Sequence, residues 1–163
     1  MTTSEKLEKA IAMLKEQHRE LSKNLYLEGN IPDKVLERHT KWYAPIGSDE
    51  KVLFVVNYKI PGTAGKYGWT GMLVTDKNVY YRCLKNSFFS SLVAIAQTGM
   101  IPLSEIESMA IGDHDICFGS AYTGHKLLVN GQVKGLLRMG GGMEYDEKLI
   151  DELTQIFNAL TEK

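Results

Sequence analysis

The sequence predicts an α+β fold that is mainly β: a small antiparallel β-barrel plugged by a C-terminal helix, with a helical arm ahead of it. Three observations carry this. Short β-patterned runs follow one another from Val52 to Met139. A single amphipathic stretch, about residues 146–160, closes the chain. The first 47 residues instead carry helix-type periodicity and helix-start chemistry. At 163 residues the chain fits one domain with an appendage and can bury a real core. The expected division is a helical arm, 1–47, and a β domain, 48–163.

Bulk properties exclude some classes. The net charge of −1 provides no global field to recruit nucleic acid or an anionic membrane. Met1-Thr-Thr-Ser-Glu-Lys6 lacks the apolar core of a secretory leader. The longest apolar stretches fall far short of the ~20 residues of a membrane span. The expectation is a cytoplasmic protein with no nucleic-acid partner, no membrane span and little peripheral lipid contact. Cys83 and Cys117 both sit in apolar strand-like runs. Reduced buried thiols are the simpler reading, and a disulfide between neighbouring strands stays open.

Residues 3–27 read as a helix. Thr2 and Glu5 have capping-box spacing, with Ser4 as an alternative cap. Leu7, Ile11, Leu14, His18, Leu21 and Leu25 then recur at gaps of four and three, a narrow seam of about three heptads. That seam packs either on its own chain or on a second copy. Leu14 and Leu21 are its candidate contact residues. Gly29-Asn30 breaks the helix. Pro32 suits the first turn of a second one starting at Asn30 or Ile31, with Asp33 at its positive end. Val35, Leu36, His39, Trp42 and Tyr43 would form its buried side. Residues 44–49 link it to the β domain.

Val52 to Ile60 reads as a strand with Phe54, Val56, Tyr58 and Ile60 on one face and Leu53 and Val55 on the other. Pro61 to Gly65 is a loop. In the next strand, Tyr67 to Thr75, Gly68 and Gly71 imply bending or close backbone approach. Asp76-Lys-Asn78 turns into Val79–Leu84. A fourth strand spans Ile106–Ile111, and Asp113-His-Asp115 turns the chain towards Ile116-Cys-Phe118. His125–Val129 and Gln132–Met139 flank Asn130-Gly131, the strongest short hairpin signal. Gly140 to Gly142 release the chain into the last helix, with Asp146 as N-cap. Its stripe is Leu149, Ile150, Leu153, Ile156, Phe157 and Leu160. Burying such side chains contributes roughly 1.5–3 kcal/mol each before ordering costs.

Gly71-Met-Leu-Val-Thr75-Asp-Lys-Asn-Val-Tyr80-Tyr81 resembles the strand-turn-strand signature of bacterial pleckstrin-homology-like domains, which are related to the GRAM group. Ile101-Pro-Leu-Ser-Glu-Ile106-Glu-Ser resembles the segment that follows it there, and the C-terminal helix completes the pattern. The resemblance covers about residues 50–161 and leaves the arm unexplained. It implies a partly open barrel of two orthogonal antiparallel sheets plugged by the helix. It also implies binding or assembly, with oligomers among the members, and no catalytic residues.

Relatives that grip inositol phosphates use basic residues in the first hairpin. Here Lys59 and Lys66 flank the loop, and Arg82 on the third strand joins them as a candidate ligand-binding residue. The basic residue expected two positions after Lys66 is Gly68. Without a forked guanidinium there, polyphosphate binding is expected to be weak. Asp113, His114, Asp115 and His125 are metal-type ligands. Adjacent strand side chains point apart, so a polar hairpin tip is the simpler reading, and no metal is expected. His18 and His39 sit at seam-like helix positions, where interface or partly buried histidines are the simpler reading than ligands. Gly140 to Gly142 precede an acidic helix start, which repels phosphate. No Ser-His-acid or Cys-His set has a motif context. Neither an enzyme nor a cofactor is expected. Phe88 to Ala96 is apolar and longer than a turn, so Phe88, Phe89 and Leu92 are candidate contact residues. These features together point to a non-catalytic protein-interaction or assembly module, working as a homo-oligomer or with a protein partner. The alternative is a small-ligand or lipid-headgroup binder using the first-hairpin end.

Overall fold

The computed structural model describes residues 1–59, 69–85, 96–116, 123–137 and 145–162. In chain order the elements are α1 (Thr3–Glu16), β1 (Leu25–Leu27), α2 (Asp33–Trp42), β2 (Val52–Lys59), β3 (Trp69–Thr75) and β4 (Asn78–Leu84). They continue as β5 (Ala96–Pro102), a 3-10 turn at Leu103–Glu105, β6 (Met109–Ile116), β7 (Thr123–Val129), β8 (Gln132–Leu137) and α3 (Glu147–Thr161). The fold is α+β and mainly β, as expected: among the described residues eight antiparallel strands form one sheet curled into a half-barrel. Their order is β1-β2-β3-β4-β8-β7-β6, with β5 on β4. No helix among the described residues is long and apolar enough to cross a membrane.

The inner face of the sheet and helices α1 and α3 share one core. It contains Leu7, Ile11 and Leu14 of α1, Phe54, Val56, Met72 and Val74 of the sheet, and Leu149, Leu153, Ile156, Phe157 and Leu160 of α3. Phe54 and Phe157 meet with ring centroids 6.5 Å apart. Asp146 caps α3 as expected, its Oδ1 accepting from the Leu149 N–H at 3.0 Å. Residues one step along the strands, Val55 and Leu73, point outward and pack with Val35, Ala44 and Tyr80 under α2. Leu53 departs from its expected face. A register shift between Val52 and Phe54 puts Leu53 into the same inner core as Phe54.

Four expectations are corrected here. The helix expected to run to residue 27 stops at Glu16. Gln17 closes it, and His18 then takes a left-handed φ of 50°. Leu25 to Leu27 form β1, paired with Val56 to Phe54. Leu25 fits both periods, because β1 also alternates buried, half-buried, buried. The boundary drawn at residue 47 therefore crosses a hydrogen-bonded sheet. Asn30 and Ile31 do not start α2, since Pro32 is its N-cap. Asp113-His114-Asp115 is no turn: it lies inside β6, which bulges between Ile111 and His114. Finally, β5 arises where a connection was expected.

Two local expectations hold. Asn130 and Gly131 have φ of 52° and 76°, both left-handed, as a two-residue hairpin requires. The Asn130 side chain also accepts from the Glu107 and Ser108 N–H groups and donates to the Glu105 carbonyl, which ties the turn to the segment just ahead of β6. At Gly71 the φ is 155°, and a Cβ there would lie 2.0 Å from the Val56 carbonyl oxygen and 3.1 Å from His39 Cε1. Only glycine lets β2, β3 and α2 approach this closely.

Candidate functional site

Arg82, the one expected ligand-binding residue described in full, is buried at 6% exposure. Its Nε donates to the Trp69 carbonyl at 2.9 Å, so it braces the sheet from within and presents no open charge. Lys59 ends β2 opposite Trp69. Its side chain and the whole of Lys66 lie outside the described residues, as do Gly68, Cys117 and Gly140 to Gly142.

Beside Arg82 and Trp69, α2 meets the sheet through a polar network. His39 is 1% exposed. Its Nε2 lies 2.8 Å from Asn57 Oδ1, which also takes a long 3.4 Å contact from Arg38 Nη1. An oxygen accepting from Arg38 fixes the tautomer: His39 Nε2–H donates to Asn57, and Nδ1 accepts from the Tyr43 hydroxyl. Burial holds His39 neutral, down to about 4, against the raising effect of Asn57 and with help from the Arg38 charge. Burial likewise pushes the Tyr43 hydroxyl well above its ordinary value. Arg38 stacks 3.8 Å above the Trp69 ring, which also lies 6.4 Å from Trp42. Cys83 is a free thiol, buried and pushed up by desolvation, which makes it a poor nucleophile. The network holds α2 on the sheet, with its proton donors and acceptors matched to one another.

The seam residues have an intramolecular home. Leu14 is 2% exposed, and Leu21 packs half-buried against the same core. The Leu14 side chain is covered by its own chain. The segment after α1 is fastened to α3 by acidic groups. The Ser22 N–H donates to both carboxylate oxygens of Glu152, at 3.0 and 3.2 Å. Ser22 Oγ and Asn24 Nδ2 donate to Asp146 Oδ2, and Arg19 pairs with Asp151 at 2.9 Å. Glu152 is fully buried, and desolvation raises its carboxyl despite the Ser22 bond. Phe88, Phe89 and Leu92 lie outside the described residues.

His114 and His125 come together as direct cross-strand partners of β6 and β7, with Tyr145 against both rings. Burial and the neighbouring His114 hold His125 below its ordinary range, opposed by the Asp113 charge. The sequence offered these residue types but not their register, which the β6 bulge sets.

The sheet edges differ in kind. Among the described residues β1, β5 and β6 each pair on one side only. An open edge recruits other strands unless it is short, charged, bulged or covered. β1 is three residues long. β6 carries the bulge and exposed Asp113. β5 is seven residues long, uncharged and unbulged. Its seven residues, Ala96-Gln-Thr-Gly-Met-Ile-Pro102, include no charge, and its register on β4 is unbroken from Asn78↔Pro102 to Leu84↔Ala96. Thr98 and Met100 are exposed, Met100 at 53%. Gly99 leaves room for the Tyr81 ring, which a Cβ would strike at 2.3–2.7 Å. Sequence reading missed this strand because Gly99 and Pro102 signal a loop. The alternation of exposed Thr98 and Met100 with Gln97, Gly99 and Ile101 was the available clue.

Comparison with protein-family models, with curated proteins and with solved structures gave no match.

Proposed function

We propose that this chain is a non-catalytic assembly module of the bacterial pleckstrin-homology-like type, and that it pairs with a second copy of itself by adding strand to strand at β5. The uncharged, unbulged, seven-residue edge of β5 carries this reading. In antiparallel pairs alternate backbone groups point away from the neighbouring strand and seek partners. A β5–β5 contact about a twofold axis is self-complementary and meets no like-charge repulsion. The family assignment draws support from Gly71 to Tyr81, which spans the β3-turn-β4 hairpin, and from α3 filling the curled sheet. A cytoplasmic setting belongs to the same reading and suits a free buried thiol at Cys83.

Light scattering of the untagged chain, from micromolar to near-millimolar concentration, tests it. The mass should rise from 18.3 kDa towards twice that value. The double variant Thr98→Lys/Met100→Lys alters two exposed side chains and should remain at 18.3 kDa with unchanged circular dichroism. A wild type that stays monomeric throughout, or a variant that doubles equally well, overturns the proposal.

A further inference from the structure

His114 and His125 pack against each other across β6 and β7. The ring centroids lie 5.5 Å apart, and Tyr145, immediately ahead of the α3 cap, lies 4.5 Å from His114 and 5.3 Å from His125. Within this group His114 Nε2 and His125 Nδ1 are both buried and find no hydrogen-bond partner among the described residues. A buried polar atom without a partner costs about 1–3 kcal/mol. Two such nitrogens on one cross-strand pair make a shared ligand the economical explanation.

The chemistry of the pair narrows the ligand. At neutral pH an imidazole offers a lone pair on one nitrogen, and first-row divalent ions take imidazole readily. Two imidazoles bound to one ion at about 2.0–2.1 Å place their ring centroids roughly 5–6 Å apart at the tetrahedral angle. The observed 5.5 Å lies within that span. Asp113, next in sequence, adds negative charge felt at His125, which favours a cation over an anion. Among the described residues no third His, Cys, Asp or Glu completes a metal cluster.

We propose that His114 and His125 form a two-imidazole chelate for a divalent first-row transition-metal ion, beside Tyr145. For two imidazole nitrogens the general affinity order applies, so Cu²⁺ and Ni²⁺ bind ahead of Co²⁺ and Mn²⁺. The proposal is independent of strand pairing at β5.

Calorimetric titration of the untagged full chain with Cu²⁺ and with Ni²⁺ at pH 7.5 tests it. One equivalent should bind. His114→Gln and His125→Gln should each weaken binding by at least about tenfold, since even changes behind a ligand cost that much. His18→Gln, at an exposed histidine, should leave it unchanged. Imidazole proton spectra of the wild type keep the test decisive if either variant unfolds. Sub-stoichiometric Ni²⁺ should broaden the His114 and His125 signals before those of His18 and His39. Absence of binding, equal binding in both variants, or first broadening at His18 overturns the site. In each case the two nitrogens would have water for a partner and nothing more.

Discussion

Acid should destabilise this fold through His39. The imidazole is 1% exposed and held neutral, its pKa moved from 6.5 to about 4. Its folded value is depressed, so its contribution is complete above the unfolded value of 6.5 and is lost as pH falls towards 4. In that window the unfolded chain takes up a proton that the native site refuses. Two and a half pKa units at about 1.36 kcal/mol each set the loss at about 3 kcal/mol between pH 7 and pH 4. Among the described residues Arg38, Tyr43 and Asn57 are the polar groups around the ring, and none offers a carboxylate to stabilise an imidazolium. Other groups titrate in the same range. Asp49, Glu50 and Asp151 are lowered by their hydrogen bonds, and Glu152 is raised by burial, so its protonation acts with the opposite sign. The variant His39→Gln cancels them, because it keeps an amide donor towards Asn57 and does not titrate. Urea unfolding of wild type and variant at pH 7, 5.5 and 4 gives the difference directly. The wild type should lose about 3 kcal/mol relative to His39→Gln across that range. A difference independent of pH would refute the buried, neutral imidazole.

Further predictions follow from burial and backbone geometry. Leu14→Lys should unfold the protein, because the ammonium would enter a site 2% exposed; a chain that melts like wild type would place Leu14 outside the core. Gly71→Ala should cost on the order of 3 kcal/mol or more in urea, since its Cβ would meet the Val56 carbonyl oxygen at 2.0 Å; a neutral effect would contradict that approach of β2 to β3. Vesicles carrying phosphoinositides should retain the chain weakly and release it at physiological salt, because Arg82 is internally bonded. Headgroup-selective retention lost in Lys59→Ala would favour ligand binding over assembly.

What the sequence revealed was local. α3 was readable because its stripe and its cap lie within fifteen residues, and the hairpin because Asn130-Gly131 demands left-handed backbone. Gly71 could be read as a close approach, although the sequence does not say that Val56 and His39 are the neighbours. The failures were non-local. Leu25 satisfies a helical seam and a strand equally, and only the free edge of β2 decides between them. Leu53 changed faces because of a bulge that no residue type announces. Arg82 looked like an available charge because its burial depends on the Trp69 carbonyl, thirteen residues earlier. His114 and His125 pair through the register that follows the β6 bulge. β5 was hidden by Gly99, whose role is to admit a tyrosine ring from the adjacent strand.

Amide hydrogen exchange, followed residue by residue at low and high protein concentration, tests assembly through β5 most directly. Amides of residues 96–101 that point away from β4 should exchange quickly in dilute solution and become protected as concentration rises, while β1 and β6 stay unchanged. β5 amides that exchange at the same rate at every concentration, or protection that arises at β6 instead, would contradict the account.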